Sequence, residues 1–430
     1  MAPRTFLRWR VGNAGRSVVA MALALSVVVG SCGKSDNTES DQARKQAEEG
    51  DPQPGGKITV AIAGEADGFL PSVNRWTSST LFQARTIFDP LAAFDADGNS
   101  RPYLAESFTP NSDYTQWTIK VRPGVSFHNG ETLDGEVLRL HFTKMKESLV
   151  TGSVFKMVTK IEVSDPLSVT LTMSAPWTHF PVVLASQTGF VAAPAQMNTQ
   201  DSVNAIGTGP FKLKSWAPGS PFIATKFDGY WRKDAKGNSM PYLDEVEFRP
   251  VPDPQSRNDG LEAGTYDMIQ TESAEQVRDL LEQAEASPNG DVRVLADTSE
   301  GSEAHVMFNN QTGPFTDKTL RLAAAHAIDR QALVDRLFHG QYQVANGPFT
   351  KESIWGEPDT YPAYDPDKAR QLIAEWSAAH GGATPAVKLT VIGSSDFLRV
   401  AQEIVKQWNA VGFQSDVVSV SEAAGTVVLV

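Results

Sequence analysis

The stretch VKLTVIGSSDFLRVAQEIVKQWNAVGFQSDVVSV (Val387–Val420) decides the fold class of this chain. It begins with a short run of β-branched and aliphatic residues, Val387–Ile392, and ends with a second such run, FQSDVVSV. Between them, apolar residues recur with helical spacing from about Asp396 to Ala410. A strand–helix–strand unit brings its two strands parallel in one sheet, with the helix on a face. We therefore predict an α/β fold with a small parallel sheet in this part of the chain.

Two segments upstream of this unit have the signals of helices. FTDKTLRLAAAHAIDRQALVDRLFHG predicts one helix that stops at Gly340, since glycine commonly ends helices. Its apolar positions are Leu320, Ala324, Ala327, Ile328, Val334 and Leu337. YDPDKARQLIAEWSAAHGG predicts a further helix, with Asp365 as N-cap and Pro366 in the first helical position.

The first half of the chain alternates short strand signals with helical ones. A β-rich run, Lys57–Gly64, begins the ordered part, and a helix is predicted near Ser79–Phe88. VTKIEVSDPLSVTLTMS predicts a hairpin of two alternating runs, Val158–Val163 and Ser168–Met173, joined at Asp165-Pro166.

Length and composition restrict the class of protein. The chain has 430 residues with 26 prolines and a formal net charge of −13. This length favours at least two lobes, and the proline content favours a loop-rich α/β chain. The acidic balance argues against nucleic acid as a partner, because that binding requires clustered lysine and arginine.

No catalytic or metal-binding pattern stands out. The seven histidines lack HExxH spacing, and no Gly-x-Ser-x-Gly sequence occurs. DADGNSRPYLAE places Asp95, Asp97, Asn99 and Glu106 on a calcium-loop template, but Ser100 stands where the template requires glycine. The preferred alternative is an Asp-Gly hairpin turn. We expect a protein that is not an enzyme and has no cofactor or metal.

The single cysteine, Cys32, follows a segment that is typical of a secretory signal. Four arginines without an acidic residue precede an uncharged apolar run, Ser17–Gly30, that is too short to span a bilayer. Val29-Gly30-Ser31-Cys32 resembles the bacterial lipobox, so we predict a lipoprotein signal peptide over 1–31 with lipidation of Cys32. The alternatives are an ordinary signal peptide and a chance match. Removing 1–31 takes away the four positive charges, from −13 to about −17.

Residues 32–56 are predicted to form a flexible tether. The segment GKSDNTESDQARKQAEEGDPQPGG, which follows Cys32, has no valine, isoleucine, leucine or aromatic residue. Such a composition cannot bury enough apolar surface to fold.

Three long stretches resemble the extracytoplasmic solute-binding proteins of family 5, the peptide and nickel class that serves ABC importers. The first is IFDPLAAFDADGNSRPYLAESFTPNSDYTQWTIKVRPGVSFHNGETLDGEVLRLHF. The second, beginning AIGTGPFKLKSWAPG, continues through YW, YLDEVEFR and LEAGTYD in the family's order. The third is MFNNQTGPFTDKTLRLAAAHAIDRQALVDRLFHG, followed by YDPDKARQLIAEW. The resemblance extends from about Lys57 to Val420.

The resemblance implies a two-lobed periplasmic-binding-protein-like fold (type II, cluster C) with mixed sheets. Lobe I would comprise 57–300, with an inserted subdomain at about 90–205, and lobe II would comprise 301–430. A crossover between the lobes is expected near Leu295–His305. The implied protein is a lipid-anchored, extracytoplasmic monomer that closes around a solute by hinge motion and delivers it to ABC permease subunits.

Most residues in these three stretches are interpreted as scaffold. Gly207-Thr208-Gly209-Pro210 is interpreted as a rigid turn that needs unusual dihedral angles. Trp216 and Tyr230-Trp231 are interpreted as core residues.

Asp396 is the residue that bears most directly on the ligand. In oligopeptide-binding members, an aspartate at the start of the helix after a lobe-II strand pairs with the α-ammonium of the peptide, and Asp396 matches that position. The alternative is that Asp396 caps its helix. Ser395, Trp355 and Asn309 are the other candidate ligand-binding residues. The expected ligand is an oligopeptide or dipeptide, with a nickel chelate, haem, a sugar, or a ligandless surface interaction protein as alternatives.

Two departures from the family pattern affect these expectations. The first cleft loop reads DGFLPSVN, with Asp67 displaced and Phe69 inserted relative to the usual L-D-P. The sequence ends at SEAAGTVVLV, whereas family members continue and return to the first lobe. We therefore expect an incomplete second lobe and return crossing.

Overall fold

The computed structural model describes residues 5–10, 52–95, 98–271, 273–286, 292–297, 305–340, 342–348, 360–392 and 395–420. The chain divides into two compact units. The N-terminal unit comprises Arg8–Gln270 and Asp291–Arg293, and the C-terminal unit comprises Met1–Leu7, Thr271–Gly290 and Val294–Val430. The lobe boundary near residue 300 and the insert at about 90–205 stay predictions.

The elements alternate between strands and helices along most of the chain. The strands are β1 (Thr5–Arg10), β2 (Lys57–Ile62), β3 (Ala92–Phe94), β4 (Ser100–Pro102), β5 (Ala105–Pro110), β6 (Gln116–Val121), β7 (Val158–Asp165), β8 (Ser168–Met173), β9 (Phe211–Ser215), β10 (Phe222–Lys226), β11 (Glu245–Pro250), β12 (Met268–Thr271), β13 (Val292–Asp297), β14 (Ala386–Ile392) and β15 (Gln414–Val420). The helices are α1 (Ser78–Ile87), α2 (Gly135–Glu147), α3 (Phe180–Val183), α4 (Pro194–Thr199), α5 (Pro254–Glu262), α6 (Ala274–Ala286), α7 (Lys318–His326), α8 (Arg330–Phe338), α9 (Pro366–Ala379) and α10 (Ser395–Val411). Within the described ranges, no helix has both the length and the apolar character needed to cross a membrane.

The main sheet of the N-terminal unit has the strand order β12-β2-β11-β10-β9. β2 is parallel to both β11 and β12, whereas β9, β10 and β11 pair antiparallel. The remaining strands of this sheet are β1 and β13. The predicted helix near Ser79–Phe88 is confirmed as α1, and its Phe82 ring lies 5.3 Å from the ring of Phe248 on β11. Phe222 and Phe248 are fully buried beneath it.

A second sheet of the N-terminal unit is antiparallel, with the order β5-β6-β8-β7. The predicted hairpin is confirmed, since β7 pairs antiparallel with β8 and Asp165 lies opposite Ser168. The Asp165 carboxylate accepts a hydrogen bond from the Leu167 amide at 2.9 Å, which closes the turn. Helix α2 is capped by Asp134, which accepts from the Val137 amide at 2.9 Å.

The C-terminal unit contains the parallel pair that the opening stretch predicts. β14 and β15 are parallel and in register from Ala386 opposite Gln414 to Ile392 opposite Val420. α10 connects them, and its Trp408 is 1% exposed in the core of this unit. The predicted α/β unit is therefore confirmed.

One helix prediction in this unit is wrong. The segment from Leu320 to Leu337 forms two helices, α7 and α8, instead of one. The Trp408 indole donates to the Ala324 carbonyl at 3.0 Å, and Asp329 caps α8 by accepting from the Ala332 amide at 2.9 Å. Because these side chains satisfy backbone groups, the helical ladder can break between the two segments.

The ends of α8 and α9 agree with the sequence analysis. α8 ends at Phe338, and His339 and Gly340 then adopt positive φ values of 50° and 71°, as expected for a glycine stop. Asp365 is the N-cap of α9, where it accepts from the Lys368 amide at 2.9 Å, and Pro366 is the first helical residue.

Candidate functional site

The carboxyl ends of the parallel strands β2, β11 and β12 form the candidate site of the N-terminal unit. In open α/β sheets, ligands bind outside the carboxyl ends of the strands, where loops leave a crevice. The loop after β2 begins at Ala63, and Gln270 lies next to the end of β12.

A buried polar network lies at this edge. The Ser79 hydroxyl, in the first turn of α1, donates to Gln270 Oε1 at 2.9 Å and accepts from the Gly64 amide at 3.2 Å. Ser79 is 3% and Gln270 is 1% exposed. The network therefore fixes the loop after β2 to the neighbouring strand β12. Sequence reasoning missed it, because Ser79 and Gln270 lie 191 residues apart.

The loop that departs from the family pattern is rigidly packed. Gly68 has φ of +147°, and a Cβ there would lie 2.4 Å from the Asn74 side chain, so any other residue would be strained and would displace the Asn74 amide. Asn74 Oδ1 accepts from the Leu70 amide at 2.9 Å. The inserted Phe69 is fully buried, with its ring 4.8 Å from Trp216, so the insertion serves the core. The Asp67 carboxylate accepts from the Arg75 amide at 3.3 Å.

The structure describes the predicted ligand residues of the C-terminal unit to different extents. Asp396 is the second residue of α10, just beyond the carboxyl end of β14, so it lies in the first turn of this helix. The side chains of Asp396 and Ser395 and the whole of Trp355 lie outside the described residues. Asn309 is half-buried and closes a turn, with its amide donating to Thr312 Oγ1 at 2.8 Å and its oxygen accepting from the Gln311 amide at 3.0 Å.

A surface groove of about 740 Å³ also belongs to the C-terminal unit. The Trp376 and His380 rings stack there with centroids 4.2 Å apart and planes 17° apart. None of its lining residues is buried. The lining residues are Gly313, Pro314, Thr316, Asp317, Lys318, Trp376 and His380.

The Gly207–Pro210 segment is correctly interpreted as a rigid turn, but the reason given by the sequence is wrong. Neither Gly207 nor Gly209 has a positive φ. A Cβ on Gly207 would instead lie 2.1 Å from the Ile87 carbonyl oxygen, and one on Gly209 would lie 2.6 Å from the Ile87 carbonyl carbon. The glycines are therefore required by the close approach of two backbones.

A buried carboxylate next to this turn was not predicted. Asp89 is 2% exposed and accepts from Trp231 Nε1 at 2.9 Å, Thr208 Oγ1 at 3.0 Å and the Tyr230 hydroxyl at 3.2 Å. Burial raises the pKa of this carboxyl to about 6, and these hydrogen bonds oppose the shift. Trp216 and Tyr230 are each 8% exposed, which agrees with their interpretation as core residues, whereas Trp231 is half-buried.

The calcium-loop template corresponds to a turn wherever the structure describes it. The Gly98 amide donates to the Asp95 carbonyl at 3.0 Å, and Asp95 Oδ1 accepts from the Asn99 amide at 2.9 Å. Glu106 instead pairs with Lys120 at 2.7 Å, and Asp97 lies outside the described residues. Among the described residues, no group of three or more His, Cys, Asp or Glu side chains is placed to hold a metal ion.

Comparisons with known proteins agree with this fold. Glutathione-binding protein GsiB of Pectobacterium atrosepticum is 28% identical over 308 residues, which cover 70% of this chain and 57% of that protein. GsiB of Escherichia coli K12 is 27% identical over 315 residues, covering 71% and 59% of the two chains. The chain thus spans less than two thirds of the length of these relatives.

Solved structures share the fold at lower identity. AppA of Bacillus subtilis, in complex with a nonapeptide, has a TM-score of 0.68 and 22% identity, covering 87% of this chain and 76% of AppA. DppA of Helicobacter pylori, in complex with the peptide STSA, has a TM-score of 0.70 and 20% identity, covering 89% and 76%. NikZ of Campylobacter jejuni, in complex with Ni(L-His), has a TM-score of 0.66 and 19% identity, covering 86% and 74%.

This likeness confirms the predicted fold class, that of the two-lobed binding proteins. The family described as bacterial extracellular solute-binding proteins, family 5 middle, matches residues 99–428, which is most of the chain. Together with the order of the motifs from Lys57 onward, this match establishes that the chain belongs to the family 5 extracellular solute-binding proteins.

Proposed function

We propose that this protein captures oligopeptides or dipeptides outside the membrane and delivers them to the permease of an ABC transporter. The observation that carries the proposal is the shared fold, at TM-scores of 0.68 and 0.70, with two proteins that were solved in complex with peptides. Each unit of the chain also has parallel strands whose carboxyl ends lead into polar residues, as a solute site requires.

Asp396 is the proposed partner of the peptide α-ammonium. Its place in the first turn of α10, next to the end of β14, supports this role. The ammonium would supply the cation that a carboxylate needs when a ligand excludes water from it. Ser395 and Trp355 are proposed to line the same site. Asn309 would first have to release its bond to Thr312, which makes it the weakest of the four candidates.

The proposed location is the outer surface of the cell membrane. Cys32 would carry the lipid, residues 33–56 would act as the tether, and a folded monomer would reach the permease from there. The match to a family of extracellular proteins supports an extracytoplasmic location.

Calorimetric titration of the purified chain with the tetrapeptide Ser-Thr-Ser-Ala tests the proposal. We expect binding of the free peptide and a loss of about tenfold or more in the Asp396→Asn variant, because a hydrogen bond to a charged group contributes about 1.5–3 kcal/mol. N-acetylation of the peptide should weaken binding to the unmodified protein by a similar factor and make no further difference in Asp396→Asn.

Asp367→Asn is the matched control. Asp367 is also the second residue of a helix, α9, so this variant removes the same charge from an equivalent helix end. It should leave peptide affinity unchanged. Failure of free peptides to bind, with binding of glutathione or nickel–histidine instead, would contradict the peptide proposal. Peptide binding that is unaffected by Asp396→Asn would contradict the role of Asp396.

A further inference from the structure

The carboxylate of Asp89 has no direct ionic partner. It lies in the N-terminal unit at 2% exposure, and among the described residues no lysine, arginine or histidine forms an ion pair with it. Its three hydrogen-bond donors, on Thr208, Tyr230 and Trp231, are all uncharged. A buried charge without compensation is costly, so a cation should act on it from further away.

A chain of hydroxyl groups leads from Asp89 to the guanidinium of Arg232. The Tyr230 hydroxyl lies 3.2 Å from Asp89 Oδ1 and 3.3 Å from the Tyr103 hydroxyl. Arg232 Nη1 donates to the Tyr103 hydroxyl at 2.6 Å. The chain therefore connects a carboxylate and a guanidinium through two tyrosines.

The direction of every hydrogen bond in this chain is determined by its two ends. A guanidinium can only donate, so the Tyr103 oxygen accepts from Arg232 and its own proton is available for Tyr230. An ionised carboxylate can only accept, so Tyr230 donates to Asp89 and its oxygen accepts from Tyr103. Both ends thus impose the same orientation, and hydrogen bonds that are aligned in this way polarise one another.

The guanidinium of Arg232 is held in place by aromatic rings. Its Cζ lies 4.8 Å from the ring centroid of Tyr103 and 5.9 Å from that of Trp231. Arg122 lies 5.3 Å over the Trp231 ring and donates to the Tyr103 carbonyl at 2.7 Å. The half-buried arginine is therefore preorganised at the end of the hydroxyl chain.

We propose that Asp89 and Arg232 form an ion pair relayed by the hydroxyls of Tyr230 and Tyr103, and that this pair anchors the Gly207–Pro210 turn in a pH-dependent manner. The Thr208 side chain connects the turn to Asp89, and the Gly209 amide donates to the Ile87 carbonyl at 2.8 Å. The relay therefore stabilises the Gly207–Pro210 turn, which in turn contacts the carboxyl end of α1 at Ile87.

The titratable groups around Asp89 support the pH dependence. The pKa values of Tyr103 and Tyr230 are raised by burial and by the charge of Asp89, so both remain protonated donors. On the other side of the turn, His128 Nδ1 accepts from the Gly207 amide at 3.3 Å, and burial lowers the pKa of His128 to about 4. Asp89, whose pKa burial raises to about 6, is thus the group here that changes charge between pH 5 and 8.

Hydrogen exchange of the full chain, followed by mass spectrometry on peptides covering the turn, tests the relay. Arg232→Gln should lower the protection factor of the Gly207 and Gly209 amides about tenfold at pH 8 and have little effect at pH 5. A tenfold change lies within the interaction energies measured between residues of one hydrogen-bond network. Tyr103→Phe should have the same effect at pH 8. Arg232→Gln should cause no additional loss in the Asp89→Asn or Tyr103→Phe background.

Arg139→Gln is the control for loss of a positive charge, since Arg139 forms an exposed pair with Glu136 on α2. It should change protection by less than about twofold at either pH. If Arg232→Gln lowers the protection factor equally in the unmodified protein and in Asp89→Asn, the ion pair is overturned and Arg232 has a packing role. An Asp89–Arg232 coupling that survives intact in Tyr103→Phe would overturn the relay.

Discussion

At the scale of single residues, two short loops show how strongly local sequence determines local structure. Asp95–Asn99 and Asp234–Asn238 share the pattern Asp-Ala-x-Gly-Asn. In both loops the glycine amide donates to the aspartate carbonyl at 3.0 Å, and the asparagine amide donates to the aspartate side chain, at 2.9 and 2.7 Å. Gly98 and Gly237 have φ values of +77° and +86°. Here a sequence pattern alone identifies the turn.

The glycines of the Gly207–Pro210 turn illustrate the opposite case. Their conformations are accessible to any residue, and only the position of Ile87 in space excludes a side chain. Ile87 lies far from the turn in the sequence, so the sequence suggests that the glycines are required but not why.

We predict that Gly207→Ala lowers the free energy of unfolding by about 3 kcal/mol, because overpacking against a backbone that cannot retreat is costly. Urea unfolding measures the change. Gly64→Ala is the matched control, because its new Cβ would lie at an ordinary contact distance of 3.7 Å from the Ser79 hydroxyl oxygen. We expect this substitution to change the free energy of unfolding by only about 0.5 kcal/mol. Equal effects of the two substitutions would contradict the steric explanation.

At the scale of elements, strands and caps follow the sequence closely, but helix continuity does not. The apolar spacing from Leu320 to Leu337 is compatible with one helix, and it contains no proline or glycine. The break depends on two hydrogen bonds. The Trp408 indole donates to the Ala324 carbonyl of α7, and Gln407 Oε1 accepts from the Asp329 amide at 2.7 Å. Both partners come from α10, so the interruption is a consequence of tertiary packing.

The cap at the start of α8 provides a test at this scale. Asp329→Ala removes the acceptor of the Ala332 amide and should lower the free energy of unfolding by about 1 kcal/mol. Thermal unfolding followed by circular dichroism measures the effect. Asp335→Ala, in the interior of the same helix, removes an equal charge without a cap and should cost less; an identical loss would show that charge, and not capping, stabilises α8.

At the scale of the whole molecule, buried ionisable groups set the response to acid. Burial lowers the pKa values of His128 and His141 from 6.5 to about 4, and raises that of Asp89 from 3.8 to about 6. Between about pH 4 and 6 the folded state therefore binds fewer protons than the unfolded state at two histidines, and more protons at one aspartate. As the pH falls, the two histidines therefore lower the stability of the folded state, whereas Asp89 raises it.

Because the histidines outnumber the aspartate, these three groups together bind about one proton fewer in the folded state across this window. Their combined contribution to stability should therefore rise by about 1.4 kcal/mol per pH unit near pH 5, in addition to the rise from carboxyls whose pKa values are lowered by hydrogen bonds, such as Asp234 and Asp253. Asp89→Asn removes the opposing contribution of Asp89 and should steepen the measured slope by about 1.4 kcal/mol per pH unit, whereas His141→Gln should lower it by about the same amount. Urea unfolding at several pH values measures the slopes. A slope that Asp89→Asn does not change would contradict the assignment.

In the candidate site, too, features encoded by neighbouring residues could be predicted from the sequence, whereas contacts between distant residues could not. The place of Asp396 in the first turn of α10, after a parallel strand, could be predicted because a continuous stretch of sequence encodes strand, loop and helix. The contact of Ser79 with Gln270 and the cluster around Asp89 could not, since their members are separated by 119 to 191 residues.

The sequence by itself determined the α/β class, the parallel strand–helix–strand unit, the hairpin at Asp165-Pro166 and the caps at Asp365 and Gly340. Each of these depends on groups within one element or one turn, so backbone geometry and apolar spacing are sufficient. Only the tertiary structure decided the break between α7 and α8, the need for glycine at Gly207 and the burial of Asp89. These features depend on which distant backbone or side chain satisfies, or excludes, a polar or bulky group, and that is established only when the chain is packed.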